Sequence, residues 1–195
     1  VVSYMRRLPR ERPPGTRFHY STGETDLVGI LVSNATHKPL SAYLSEKIWA
    51  PFGMEQDAIW VEDVAGHERG GCCMSMTLRD YGRFGMFILG GGKAGGQDVL
   101  PQGWTAAATR AQVPVNPDDP KEGGYGYFWW INPAGDAYEA IGIFGQAITT
   151  FPKENLIIAI NSAWPAADTR ELNAARDALT AAIREAARRG ASRPR

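Results

Sequence analysis

The last third of the chain constrains the fold most, because strand-forming segments alternate with turn residues there. Four segments rich in aromatic and β-branched side chains favour strands: residues 125–131, 137–142, 146–151 and 156–161. Residues 132–136 and 152–155 contain Pro, Gly, Asn and Asp and supply turns between them. Such short connections join antiparallel neighbours. The sequence therefore predicts an antiparallel meander.

Helical patterns dominate the rest of the chain. The spacing of Leu27, Ile30 and Leu31 predicts a helix that begins after Ser21-Thr22. Similar spacing predicts further helices over residues 39–49, 77–89, 101–110 and 168–189. Residues 112–124 form a polar, proline-rich stretch that predicts a loop.

These patterns predict one domain over residues 1–195. Residues 1–124 form its mostly helical region, and residues 125–195 form its strands and C-terminal helix. The fold class is α+β, of the α/β sandwich type, with helices packed on an antiparallel sheet from the C-terminal third.

Charge and composition limit the partners. The 21 basic and 21 acidic residues balance, so charge gives no reason to expect nucleic acid as a partner. No apolar run approaches the ~20 residues of a membrane span. The scattered histidines and one cysteine pair suggest no metal site, and no cofactor is predicted.

Cys72 and Cys73 are expected to be buried free thiols, because adjacent cysteines rarely reach disulfide geometry. No compartment is assigned.

A tyrosine lies where the first predicted long helix begins. Pro13-Pro14-Gly15 predicts a turn, since proline presets φ and glycine allows unusual backbone angles. Tyr20 then directly precedes Ser21-Thr22, which can cap the helix. By spacing alone, Tyr20 is either a buried aromatic anchor or a functional side chain held at a fixed junction.

The whole stretch PPGTRFHYST-GETDLVGILV resembles the Tyr-x-Asn region of the serine β-lactamase-like hydrolases. This group includes class C β-lactamases, family VIII esterases and 6-aminohexanoate-dimer hydrolases. The resemblance implies a β-lactamase/transpeptidase-like fold in which Tyr20 is catalytic. Thr22 stands in place of the usual Asn and is implied to contact substrate, because its hydroxyl can still donate and accept a hydrogen bond.

Two later segments extend the resemblance. Residues 70–88, from Gly70-Gly71 through Thr77-Leu78-Arg79-Asp80, are similar to a helix of that group that mainly packs in the core. Residues 138–151 resemble its strand pair, with Gly-x-x-Gly-Gln replacing Lys-Thr-Gly. The resemblance implies that Gly142 or Ile143 offers a backbone N–H to an oxyanion and that Gln146 contacts substrate. The glycines could instead serve close packing alone.

The serine nucleophile is not found. None of the eight serines has a lysine three residues on, and no Gly-x-Ser-x-Gly motif occurs. The resemblance places Ser-x-x-Lys in a preceding half of the same domain, so this chain is expected to be a catalytically incomplete C-terminal part whose partners are that half and a small ester or amide substrate. The alternative hypothesis is a β-lactamase-like binding or scaffold module without chemistry.

Overall fold

The computed structural model describes residues 1–191, so the last four residues of the predicted 125–195 segment lie outside the description. The chain divides into two compact units, each described by itself. One comprises residues 1–77 and 94–99, and the other comprises residues 78–93 and the described part of 100–195. The prediction of a single domain over residues 1–195 stays a prediction.

The first unit is mainly helical. Its regular elements are, in chain order, α1 (Val2–Met5), α2 (Thr22–Thr36), α3 (Leu40–Leu44), a π-helix (Ser45–Trp49), α4 (Ala50–Phe52), β1 (Ile59–Trp60) and β2 (Met74–Ser75). The predicted helix over residues 39–49 is thus present, but its second half widens into the π form. Strands β1 and β2 pair in antiparallel fashion.

The second unit joins helices to a sheet. The remaining elements of the chain are α5 (Leu78–Leu89), β3 (Lys93–Ala94), β4 (Gln97–Asp98), α6 (Trp104–Ala108), β5 (Val113–Pro114), β6 (Gly124–Tyr125), β7 (Trp130–Ile131), β8 (Tyr138–Ile141), β9 (Ala147–Phe151), β10 (Leu156–Ile160) and α7 (Arg170–Ala191). Of these, β4 and Ala94 of β3 belong to the first unit. Single 3₁₀ turns occupy Pro120–Glu122 and Pro152–Glu154.

The six-stranded sheet runs in the order β10-β9-β8-β7-β6-β5, and every neighbouring pair is antiparallel. The predicted meander and the α+β class are therefore confirmed. The long loop predicted over residues 112–124 contributes the edge strand β5, which pairs with β6.

The predicted single strand over residues 125–131 is wrong. Strands β6 and β7 are instead the two arms of a hairpin. Gly126 donates its N–H to the Trp129 carbonyl at 2.8 Å, and Phe128 has a φ of 66°. A Cβ on Gly126 would lie 2.0 Å from the Ala108 carbonyl oxygen. The chain turns where only glycine fits against that carbonyl, so strand propensity is overridden by a tertiary contact.

Helices α5 and α7 cover opposite faces of the sheet. Successive side chains of a strand point to opposite sides, and the two helices contact side chains on different sides. Gly85 of α5 faces Ile148 and Ile157 so closely that a Cβ there would lie 2.8 Å from Ile157. On the other face, Phe151 packs with Ile158, and Arg184 of α7 stacks over the Phe151 ring at 4.0 Å. The sheet core thus lies between two helices.

Candidate active site

Tyr20 lies five residues after the predicted turn and directly before Ser21, the N-cap of α2. Gly15 has a φ of 74°, and the Thr16 hydroxyl donates to the Pro13 carbonyl at 2.8 Å, which confirms the turn. The Tyr20 side chain is 54% exposed. A tyrosine this open is not a buried anchor.

Ser21 caps the N-terminus of α2, as predicted. Its backbone is extended, and its hydroxyl oxygen accepts the Glu24 N–H at 3.3 Å. Its carbonyl accepts the hydroxyl of Thr25 at 3.2 Å. These contacts fix the backbone on the C-terminal side of Tyr20 to the first turn of a 15-residue helix.

Thr22 is exposed and begins α2. Its methyl group lies against Gly71, where an added Cβ would come within 2.8 Å of it. The segment around Gly71 is held in turn by Asp26, whose carboxylate accepts the Gly71 N–H at 2.8 Å and an Arg69 N–H at 3.2 Å. Asp26 is only 4% exposed. Sequence reasoning missed it, because its partners lie more than forty positions further along the chain.

A cavity of about 880 Å³ borders the segment that precedes Tyr20, and it lies wholly in the first unit. Its lining includes Arg10, Arg12, Arg17, His19 and Ser21. The excess of arginine over acidic side chains in this lining suits an anionic group.

His19, the neighbour of Tyr20, is paired with an acidic side chain. Its Nδ1 lies 2.8 Å from a Glu11 oxygen. Hydrogen bonds from Arg12 and then from His19 hold the pKa of the Glu11 carboxyl below its usual value. No local sequence pattern indicates this contact, because the pairing depends on how the chain folds back at the Pro13-Pro14-Gly15 turn.

The other predicted residues lie in the second unit, in the loop between β8 and β9. Gly142 donates its N–H to the Gln146 carbonyl at 2.7 Å, and Gly145 donates to the Gly142 carbonyl at 3.1 Å. Ile143 is 60% exposed. Within residues 1–191 no acceptor is found for its N–H, whereas its carbonyl accepts the Asp168 N–H at 3.0 Å. Of the two predicted donors, only Ile143 therefore has an uncommitted N–H.

The side-chain amide of Gln146 holds this loop by one hydrogen bond at its oxygen and one at its nitrogen. Its Oε1 accepts the Phe144 N–H at 3.3 Å, and its Nε2 donates to the Ser162 carbonyl at 2.6 Å. A Cβ on Gly142 would lie 2.4 Å from Gln146 Oε1. The Gly-x-x-Gly-Gln pattern thus has a local cause, since the amide of Gln146 fills the space that a side chain at Gly142 would need.

Trp164 packs against the same loop. Trp164 donates its backbone N–H to the Phe144 carbonyl at 3.1 Å, and its ring lies where a Cβ on Gly145 would be, 2.2 Å away. Gly145 has a φ of 88°. The backbone N–H and C=O groups of the loop are therefore held in fixed directions.

In the second unit, a cavity of about 370 Å³ lies between the sheet and α7. Glu139 and Arg176 are among its lining residues. Burial raises the pKa of the Glu139 carboxyl, and a hydrogen bond from Thr149 partly opposes that shift. Sequence patterns predicted Glu139 only as a strand residue.

The predicted site residues thus form two groups. Tyr20 and Thr22 lie together at the start of α2 in one unit, and Gly142, Ile143 and Gln146 lie together in one loop of the other. In the part of the chain that the structure describes, no group of three His, Cys, Asp or Glu side chains could hold a metal ion. No helix within the described residues has the length and apolarity of a membrane span.

Cys72 and Cys73 are not the buried free thiols predicted from the sequence. They are joined to each other by a disulfide, and both residues are exposed. The prediction rested on the rarity of such geometry, which Cys73 reaches with a φ of 77°.

Comparisons with known proteins identify the same family as the resemblance seen in the sequence. The β-lactamase family model matches residues 1–182. The chain is 31% identical over 161 residues to the 6-aminohexanoate-dimer hydrolase of Paenarthrobacter ureafaciens, an alignment that covers 78% of this chain and 41% of the relative.

Solved structures show the same fold. A Bacillus anthracis protein, named for 6-aminohexanoate-dimer hydrolase activity, is 28% identical with a TM-score of 0.82, and the match covers 96% of this chain and 48% of that protein. A Mycobacterium bovis β-lactamase is 20% identical with a TM-score of 0.65, and the match covers 87% of this chain and 66% of that protein. The chain thus spans about half the length, or less, of its 6-aminohexanoate-dimer hydrolase relatives. The predicted β-lactamase-like fold is confirmed.

Proposed function

The chain belongs to the serine β-lactamase-like hydrolase family, and we propose that it supplies the tyrosine and the oxyanion loop of an enzyme that cleaves an ester or amide through an acyl-enzyme. The observation that carries this proposal is the position of Tyr20. More than half of Tyr20 is exposed, while its backbone is fixed by the capped start of α2. Proton transfer needs an accessible group at a fixed position.

The proposed reaction has two steps. A serine hydroxyl attacks the carbonyl carbon of the substrate, the leaving group departs with a proton, and water then hydrolyses the acyl-serine ester. Tyr20 relays the proton between the serine and the leaving group. A phenol titrates near ~10 in water, so this role requires a neighbouring cation that favours the phenolate. We place the serine and that lysine, as Ser-x-x-Lys, outside the 195 residues.

The Ile143 N–H is the proposed oxyanion donor of this chain. Gly142 was the other predicted donor, but its N–H is bonded to Gln146. A donor contributes most when it is already oriented before the charge develops. The Gly142 carbonyl is part of the same peptide group as the Ile143 N–H, and it accepts the Gly145 N–H at 3.1 Å, which supports such an orientation.

The proposed substrate carries an anionic group besides its scissile bond. Arg10, Arg12 and Arg17 line the cavity that also contains Ser21, the neighbour of Tyr20. Guanidinium groups bind carboxylates through paired N–H donors. The 6-aminohexanoate dimer in the name of two relatives is therefore a reasonable first substrate to assay.

The test is the replacement of Tyr20 by phenylalanine in the full-length protein. We expect Y20F to lower kcat/KM for 6-aminohexanoate dimer or a nitrophenyl ester by roughly 100-fold or more, because general acid–base catalysis contributes about that much. Y127F is a matched control, since Tyr127 is also partly exposed and lies outside the proposed site. Equal rates for Y20F and the unaltered protein would overturn the role of Tyr20.

A binding or scaffold module remains the second candidate function. It is favoured by Gln146, whose amide is already bonded to Phe144 at one end and to Ser162 at the other and is therefore poorly placed to contact a substrate. A fluorophosphonate probe separates the two candidates. We expect a covalent adduct on a serine of the full-length protein and none on the 195-residue chain. Absence of any adduct on the full-length protein would favour the binding module.

A further inference from the structure

The disulfide between Cys72 and Cys73 is a feature that the proposed hydrolase chemistry does not use. The two residues are adjacent in sequence, and both are exposed. A disulfide that reductants can reach is more labile than one enclosed in a core. Both sulfur atoms belong to a segment that leads from the Asp26 contact into β2.

The backbone of the pair is held on both sides. The Trp60 indole N–H donates to the Cys72 carbonyl at 3.2 Å and to the Arg69 carbonyl at 2.9 Å. The Val61 N–H donates to the Cys73 carbonyl at 3.0 Å. The Trp60 indole is therefore bonded directly to the carbonyl of Cys72, so a movement of that carbonyl changes the surroundings of the indole.

Cys73 adopts a backbone conformation that side chains other than glycine rarely take, with a φ of 77°. A residue with a Cβ is sterically disfavoured in that region. The covalent link to the preceding residue restrains Cys73 there, and opening the link removes this restraint. A change of φ at Cys73 rotates the peptide groups that Trp60 and Val61 contact.

We propose that Cys72 and Cys73 form a reversible thiol–disulfide site that small dithiols reduce in the folded protein. The reduced pair presents two neighbouring thiols on the surface. Two adjacent thiols are also the chemistry that captures trivalent arsenicals. The proposal is independent of the hydrolase function.

The reaction balances with a dithiol as the reductant. A thiolate of the dithiol attacks one sulfur of the pair, the bond between Cys72 and Cys73 breaks, and a mixed disulfide forms. The second thiol of the reductant then displaces the cysteine sulfur and closes a cyclic disulfide. The reductant loses two electrons and two protons, and the two cysteines gain them as thiols.

Thiol counting gives the direct test. The folded chain is equilibrated without reductant and treated with iodoacetamide before and after dithiothreitol, with no denaturant, and the adducts are located by mass spectrometry. We expect no adduct before reduction and one on each cysteine after it. Phenylarsine oxide, added after reduction, should block both alkylation and reoxidation.

Two results would overturn the proposal. One is alkylation of both cysteines before any reductant is added, which would mean that the thiols are free. The other is a disulfide that dithiothreitol opens only in denaturant, which would mean that the pair is not accessible in the folded protein.

Tryptophan fluorescence tests the structural consequence. The chain has six tryptophans, so the Trp60→Phe variant identifies the contribution of Trp60. We expect a reversible change in emission on reduction that is lost in W60F. The emission of the double variant C72S/C73S should match that of the reduced protein and should not change when dithiothreitol is added. Persistence of the full change in W60F would contradict the link between the pair and Trp60.

Discussion

Gly145 is the residue whose surroundings most restrict substitution in the proposed oxyanion loop. Its φ of 88° and the Trp164 ring both exclude a side chain. We expect Gly145→Ala to lower the free energy of unfolding by roughly 2–5 kcal/mol, since a side chain at a positive φ costs about 1–2 kcal/mol and overpacking about 1–3 kcal/mol. Urea denaturation measures this difference.

Gly135 is the matched control for that substitution. It also has a positive φ, 66°, but a Cβ there would meet nothing within 4 Å. Gly135→Ala should therefore show only the backbone cost of about 1–2 kcal/mol. Equal losses in the two variants would mean that the Trp164 contact contributes nothing.

Asp26 is the buried residue on which the Gly71 segment depends. Replacing it by alanine leaves the Gly71 N–H and the Arg69 guanidinium without this acceptor. We expect Asp26→Ala to cost about 1–3 kcal/mol of stability, the usual loss for an unsatisfied buried group. Asp26→Asn keeps an acceptor for the Gly71 N–H and should cost less, which chemical denaturation can resolve. An equal loss in both variants would assign the effect to the charge on Asp26.

At the scale of elements, strands β8, β9 and β10 could be predicted because their residues are apolar or β-branched and turn residues separate them. The hairpin of β6 and β7 could not, since its turn is set by the approach of Gly126 to the Ala108 carbonyl. The start of α2 was predictable from Ser21, whose cap is a local contact. The N-terminal contacts of α3 were not, because Glu68 supplies them from 27 positions away.

Strand β8 carries a carboxyl that makes stability depend on pH. Burial raises the pKa of Glu139 above its ordinary 4.5, so the folded state binds a proton more tightly than the unfolded state. This contribution to stability is present at low pH and is lost as the pH rises through the raised value. Glu139→Gln removes that dependence.

The measurement compares urea midpoints of E139Q and the unaltered protein at about pH 4 and about pH 7. The variant should gain stability relative to the unaltered protein as the pH rises. The lowered pKa values of Asp136 and Glu154 act in the opposite direction, but they contribute equally to both proteins and cancel in the difference. A difference that does not vary with pH would contradict the burial of this carboxyl.

At the scale of the whole molecule, the exposed apolar side chains predict association. Leu31 is 66% exposed and Ile59 is 72% exposed, and Val61 and Phe144 are exposed as well. Apolar surface of this kind favours contact with other surfaces. We expect the 195-residue chain to sediment with a mass larger than that of one chain. A monomer that unfolds in one cooperative transition would contradict this prediction.

The candidate site could be predicted only in part. Tyr20, Thr22 and the Gly142–Gln146 loop are recognisable because their spacing follows a family pattern. The contacts that hold them, from Asp26 to Gly71 and from Trp164 to the loop, join distant positions of the chain. No local pattern encodes such pairs, so they emerge only when the fold is known.

The order of the sheet also has a kinetic consequence. Every strand from β5 to β10 pairs with the strand next to it in the chain. Closing the short loops between such neighbours costs little chain entropy, and folds rich in contacts between nearby residues form quickly. The sheet can therefore assemble by successive hairpins as the chain leaves the ribosome. Helix α5 ends more than fifty residues before β9, so it can dock onto β9 and β10 only after those last strands have been synthesised.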